Sequence, residues 1–216
     1  MWHGWNDAYP MYHGFCLFRW VFHRRKPDDD TFSYSQGSIV GVFVLALLFS
    51  APVEILLVEL LIPWHWLKVL FLILDAYSII WLLGYAAGIA VLPHRMAASG
   101  IRVYYSIGAH GFLLYFAIAD VRRQRLTNTG RDGCHVDLQR QTASLSVGGV
   151  TTVTLRLNQP ATLRRIVDST PPITTLHLAV DEPERFVIAL ELRLSQHHES
   201  MSALADNVSV EVGSAR

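Results

Sequence analysis

Two runs of this chain carry more uninterrupted apolar surface than a fold surrounded by water accommodates. Residues 39–62 read IVGVFVLALLFSAPVEILLVELLI, and residues 67–92 read LKVLFLILDAYSIIWLLGYAAGIAVL. At about 1.5 Å per helical residue each run is at least about 36 Å long, enough to cross a hydrocarbon layer of about 30 Å. Lipid supplies no hydrogen bonds, so each backbone must close its own, which excludes open strands here. Only Pro63-Trp64-His65-Trp66 separates the runs. They therefore read as a helical hairpin whose Trp residues, flanking His65, suit the interfacial aromatic belt.

Composition agrees. Of 216 residues, 51% are hydrophobic, and 18 basic residues balance 18 acidic ones, so no global field draws the chain to nucleic acid. Cys16 and Cys134 lie far apart, give neither a disulfide framework nor metal-ligand spacing, and read as free thiols in a reducing compartment. Arg19, Arg24, Arg25 and Lys26 precede the first run, while Arg95, Arg102, Arg122, Arg123 and Arg125 follow the second; the turn region offers only Lys68. The positive-inside rule then places both termini in the cytoplasm, in a multi-pass protein of the plasma membrane.

Two acids inside the runs need an explanation. Glu54 and Asp75 each stand about ten residues from the middle of the turn, hence about 15 Å deep, near the midplane. Ser50 and Ser78 extend each into a short polar stripe. A midplane carboxylate costs about 2.5 to 3.5 kcal/mol on insertion scales, and a like neighbour raises that, so bound or shared protons are expected. One reading is a hydrogen-bonded pair that holds the hairpin together. The other is a proton or cation site. Glu59 stands nearer the turn, within reach of Lys68 and the interface. Pro52 is expected to kink the first helix. Gly84 and Gly88 form a G-x-x-x-G that permits close helix packing, read either as a homodimer contact or as a chance occurrence.

The N-terminal segment, residues 1–36, lacks the pattern of a secretory signal. Its Trp2, Trp5, Tyr9, Tyr12, Phe15, Phe18, Trp20 and Phe22 suit a segment lying in the headgroup layer; the alternative is a disordered extension. His3, His13 and Cys16 show no ligand spacing.

After the hairpin, taken as residues 37–92, the period changes from helical to alternating. Strands are expected at 100–105, 112–119, 142–147, 150–157, 161–166 and 173–180, with turns at 108–111, 148–149, 158–160 and 171–172. Residues 127–141 read as a long loop in which 134–138 can add a strand. Asp181 is placed to cap a helix that has Pro183 in its first turn and Phe186, Ala189, Leu190 and Leu194 on one face. Residues 195–216 are polar, unpatterned and expected to be disordered.

Two short spans, an antiparallel meander and a final strand running through D-x-P-E-x-F into one closing helix resemble the bacterial pleckstrin-homology-like membrane proteins, including uncharacterised integral membrane proteins of actinobacteria. LHLAVDEPERFVIAL is the most specific piece, and the resemblance covers residues 93–194 together with the hairpin. It implies an α+β membrane protein: a transmembrane helical hairpin, then a cytoplasmic split β-barrel closed by the helix and used for protein or lipid contacts. The chain departs from a phosphoinositide-binding pattern, because residues 106–111 hold no dense Lys/Arg cluster.

No nucleophile motif, phosphate loop or metal motif is present, and His110 and His197-His198 stand isolated, so neither catalysis nor a cofactor is expected. Arg95, Arg122, Arg123 and Arg125 are the candidates for lipid binding, and a solvated face that also fixes topology is the alternative. The expected partners are the bilayer and a protein that the sequence does not name. The alternative function is a small transport or ion-sensing subunit using Glu54 and Asp75.

Overall fold

A computed structural model describes residues 18, 20, 29–36, 38, 40–106, 108–127, 132–165 and 168–214. The chain forms strand β1 (Thr31–Phe32), helices α1 (Val40–Leu61) and α2 (His65–Val91), then β2 (His94–Met96), β3 (Gly100–Tyr105) and β4 (Ala109–Leu114). A 3-10 turn (Tyr115–Ala117) leads to β5 (Ile118–Thr127), β6 (Gly133–Asp137), β7 (Thr142–Ser146), β8 (Val150–Ala161), β9 (Arg164–Arg165), β10 (Ile173–Leu178) and α3 (Pro183–Ser214).

The apolar runs are helical, two residues from their sequence-read limits at most. α1 buries only Val40 among its described residues, and the exposed side chains of both helices include Phe43, Phe49, Leu56, Leu60, Ile73 and Tyr77. Pro63 follows the last turn of α1, where its missing N–H and fixed φ end the helix. Lys68 Nζ then returns to α1, 2.7 Å from Glu59 Oε1 and 3.1 Å from the Glu59 carbonyl, so it neutralises the acid and satisfies one of the carbonyls left over at the helix end.

The remaining strands form two five-stranded sheets, ordered β1-β2-β3-β4-β9 and β5-β8-β10-β7-β6. They share one core: Ile101, Val103 and Leu113 from the first sheet meet Leu145, Val153, Leu155 and Leu176 from the second, and Phe186 and Leu190 of α3 close it. An alternating strand has one apolar face to bury, and two such faces with an amphipathic helix satisfy each other.

Several expectations are corrected. The antiparallel meander holds for β2-β3-β4, but β10 lies parallel to β7, so the second sheet is mixed. The strand expected at 112–119 is two strands: the 3-10 turn at Tyr115, whose hydroxyl donates to the Ala97 carbonyl at 2.8 Å, carries the chain from one sheet to the other. The turn expected at 108–111 falls earlier, with Ser106 at φ 45°, and Gly111 is inside β4. β8 runs through the turn expected at Asn158-Gln159-Pro160, because its register against β10 slips there and a proline needs no ladder partner in a bulge. Little of 161–166 is a strand, since only Arg164 and Arg165 pair with β4. The reserve strand is real, as β6.

On the N-terminal side of the hairpin, tertiary contacts overrode composition. Residues 29–36 belong to the module rather than to a separate juxtamembrane segment: Phe32 is buried, β1 pairs with β2, and Phe32 meets Phe186 edge-on at 5.1 Å. Asp181 serves this junction. Its carboxylate accepts from Ser33 Oγ at 2.7 Å, from Ser35 N–H at 2.9 Å and from Gln36 N–H at 3.0 Å, in place of the expected helix cap. The expected disordered tail instead continues α3 to Ser214. Of the aromatic N-terminal residues, Phe18 and Trp20 are exposed, and the others named above lie outside the described residues, as does Cys16.

Candidate membrane-proximal site

The hairpin and the β module meet at the second end of α2. Gly84, Ala87, Gly88 and Ile89 are buried within the chain, so the small-residue face that permits close packing is already covered here. Tyr85 lies 3.3 Å, hydroxyl to hydroxyl, from Tyr105 at the end of β3, and Ser106 Oγ donates to the Tyr85 carbonyl at 3.2 Å. These contacts fix the β3–β4 turn at the depth of Tyr85. Burial, and then the bond to Tyr85, push the Tyr105 phenol well above its ordinary value, so it stays a neutral hydroxyl.

His94 is the next residue of this junction, three after the end of α2 and 1% exposed. Its Nδ1 accepts from the Tyr104 N–H at 3.1 Å, which leaves the proton on Nε2, 3.1 Å from the Ala179 carbonyl. Tyr34 stacks on the ring at 4.8 Å, and its hydroxyl oxygen accepts from the Ser106 N–H at 2.6 Å. Burial holds the imidazole down at about 4, so it is neutral at physiological pH. It ties β2, β3 and the approach to α3 together.

Within the hairpin, Val44, Leu47, Ala51 and Val58 of α1 and Lys68, Asp75, Ile79, Leu82 and Ala86 of α2 are half-buried at helical spacing, tracing the seam. Counting outward from the Glu59–Lys68 pair puts Glu54 and Asp75 within about 3 Å of one depth. Asp75 is half-buried on the seam and Glu54 is exposed, with no hydrogen bond between them among the described residues. Ser50 Oγ donates to the Leu47 carbonyl of its own helix at 3.1 Å, and Ser78 is exposed.

The four candidate lipid-binding arginines separate. Arg122, Arg123 and Arg125 lie on β5 in the second sheet, where Arg123 pairs with Glu184, and Arg122 Nε lies 2.5 Å from Asp120 Oδ2 without hydrogen-bond alignment. Arg95 lies on β2 in the first sheet, directly opposite Arg102 of β3, which in turn faces Phe112 of β4. The Arg102 guanidinium sits 5.8 Å from the Phe112 ring centre. The next row of the same face is Tyr104, His110 and Arg164. Burial, and then the Arg164 charge, lower His110. In the sequence Arg164 carries no role, His110 stands as an isolated residue and Arg102 is marked only as a topology charge. The alternation in GIRVYY marks Arg102 as outward-facing, whereas no local signal pairs β9 with β4.

Cys134 is a free, half-buried thiol whose pKa burial pushes up, which makes it unreactive. Among the described residues no group of three His, Cys, Asp or Glu gathers for a metal. No protein-family model, curated protein or solved structure matches the chain.

Proposed function

We propose that this chain is a non-enzymatic integral protein of the plasma membrane, in which a two-helix anchor presents a pleckstrin-homology-like β module to the cytoplasmic leaflet for protein or lipid-headgroup binding. The carrying observation is the pairing of β1 with β2, which brackets the hairpin: the chain leaves one folded module, exposes two long apolar helices, and returns to the same sheet. A water-soluble protein rarely exposes a contiguous apolar patch beyond a few hundred Å², and lipid removes the need to cover it. On this reading both ends of the hairpin lie on one side, and the arginines near them favour the cytoplasm for that side. The helix closing two sheets supports the pleckstrin-homology-like reading, and the parallel β7–β10 pair is a departure from an antiparallel meander.

The test is site-directed labelling in a background with Cys16 and Cys134 replaced by Ser. Trp64→Cys, in the turn, is expected to react with an impermeant maleimide in intact cells, and Leu138→Cys, exposed beyond β6, only after permeabilisation. Labelling of both from one side, or release of the chain by alkali, refutes the reading.

A second reading, a small proton- or cation-handling subunit, is favoured by Asp75, half-buried on the seam and without a hydrogen-bond partner among the described residues. Proton or cation flux through proteoliposomes that is lost in Glu54→Gln/Asp75→Asn supports it, and unaltered flux removes it.

A further inference from the structure

The outer face of the first sheet carries a charge arrangement that no carboxylate among the described residues answers. Arg95 and Arg102 are direct cross-strand neighbours, so their Cβ atoms are about 5 Å apart, and like charges so placed destabilise a sheet. Arg164 lies in the next row of the same face, beside His110. Among the described residues none of these three guanidinium groups pairs with a carboxylate, although Arg123, Arg165, Arg185 and Arg193 all do. Phe112, 44% exposed, stands within this cationic face.

The position of the face is as informative as its charge. Twenty residues separate His65, at the start of α2, from Tyr85, a rise of about 30 Å and therefore about one hydrocarbon thickness. Tyr105 touches Tyr85, and the row of His110 and Arg164 lies one residue from the Tyr105 row, with Arg95 and Arg102 two residues further. With β3 taken to run along the bilayer normal, about 3.4 Å per strand residue puts the cationic face about 3 to 10 Å beyond the hydrocarbon edge, the depth of the phosphate layer.

Resting on the membrane reading above, we propose that Arg95, Arg102 and Arg164, with His110 and Phe112, form a docking face for the phosphate headgroups of anionic phospholipid in the bilayer that holds the hairpin. The guanidinium groups supply forked donors to phosphate oxygens, and Phe112 reaches toward the acyl boundary. The face is a sheet surface rather than a loop pocket, so it selects charge more than headgroup stereochemistry.

The test uses the full chain reconstituted into phosphatidylcholine vesicles with trace spin-labelled phosphatidylglycerol or phosphatidylcholine, reading the motionally restricted fraction of each label. The wild type is expected to prefer phosphatidylglycerol by about fivefold or more, a preference that 1 M salt abolishes by shortening the screening length to about 3 Å. Arg95→Gln/Arg102→Gln/Arg164→Gln is expected to bring the preference below about twofold, while Arg156→Gln, on the exposed side of β8, and the triple Arg→Lys variant retain it. Equal restriction of the two labels in the wild type, a salt-independent preference, or full preference in the triple Gln variant overturns the docking face alone. A chain that stays outside the vesicles overturns the membrane reading with it. Should the triple Gln variant fail to fold, the salt titration of the wild type decides.

Discussion

Acidification tests the junction at His94 most directly. The imidazole is 1% exposed, donates to one carbonyl and accepts from one amide, so a second proton meets the Tyr104 N–H where an acceptor is needed. Its folded value of about 4 lies below the ordinary 6.5, so the native state binds fewer protons than the unfolded chain across that interval. The stabilisation is therefore complete above about pH 6.5 and is lost as pH falls toward 4. The interval of two and a half units corresponds to about 3 kcal/mol in full, of which about 2 kcal/mol disappears between pH 7 and pH 5. The groups around the ring are Tyr34, Tyr104 and Asp181; the Asp181 charge favours the imidazolium but is outweighed by burial. His110 and His177 are lowered as well, by burial first, and add to the same trend. For a chain of this size 2 kcal/mol is about 4 to 8 °C in Tm. Thermal unfolding of the detergent-solubilised chain, followed by near-UV circular dichroism at pH 7 and pH 5, reads this shift, and His94→Gln is expected to remove most of the slope. A Tm independent of pH, or an equal slope in His94→Gln, refutes the reasoning.

Further perturbations bear on other parts of the fold. Gly100→Ala places a Cβ 2.2 Å from the Leu113 carbonyl oxygen, a backbone atom, whereas Gly111→Ala meets the end of the Leu163 side chain at 2.4 Å, which a rotamer change can move. Gly100→Ala is expected to cost about 3 kcal/mol and Gly111→Ala about 1 kcal/mol in denaturant unfolding, and an equal cost would sink the distinction. Asp181→Ala removes the acceptor for three donors of the N-terminal segment and is expected to cost about 1 to 3 kcal/mol. Amide exchange at Ser35 and Gln36 should rise with it, and unchanged protection there counts against the assignment. Lys68→Met breaks an ion pair whose acid is 74% exposed and is expected to change stability by less than about 1 kcal/mol, checked by the same unfolding assay. On the membrane reading Glu54→Leu replaces an ionisable midplane group by an apolar one and is expected to favour insertion by about 3 kcal/mol in a translocon-based assay, with no gain as the refuting result.

Much of the fold was legible because its cause was local. The helices at 40–61 and 65–91 follow from unbroken apolar runs, the β3 limits from alternation in GIRVYY, and the Glu59–Lys68 pair from its nearness to the turn. Expectations failed where a distant partner decided the outcome. Asp181 has the sequence signature of a helix cap, yet donors from residues 33–36 reached it first. Pro160 signals a turn, yet a register slip against β10 absorbs it within β8. Arg122, Arg123 and Arg125 lie close in the chain and read as a cluster, yet the first two are drawn into ion pairs, while Arg95 and Arg102 share a face with the distant Arg164.

The amino-acid sequence by itself determined that two helices form here and expose apolar surface, because hydrophobicity and length belong to the residues themselves. Tertiary structure alone decided that residues 29–36 join the module beyond the hairpin, that β10 runs parallel to β7, and that Arg95, Arg102 and Arg164, without a carboxylate partner among the described residues, share one sheet face. Strand pairing joins residues across any separation, and a single chain carries no local mark of which edges meet.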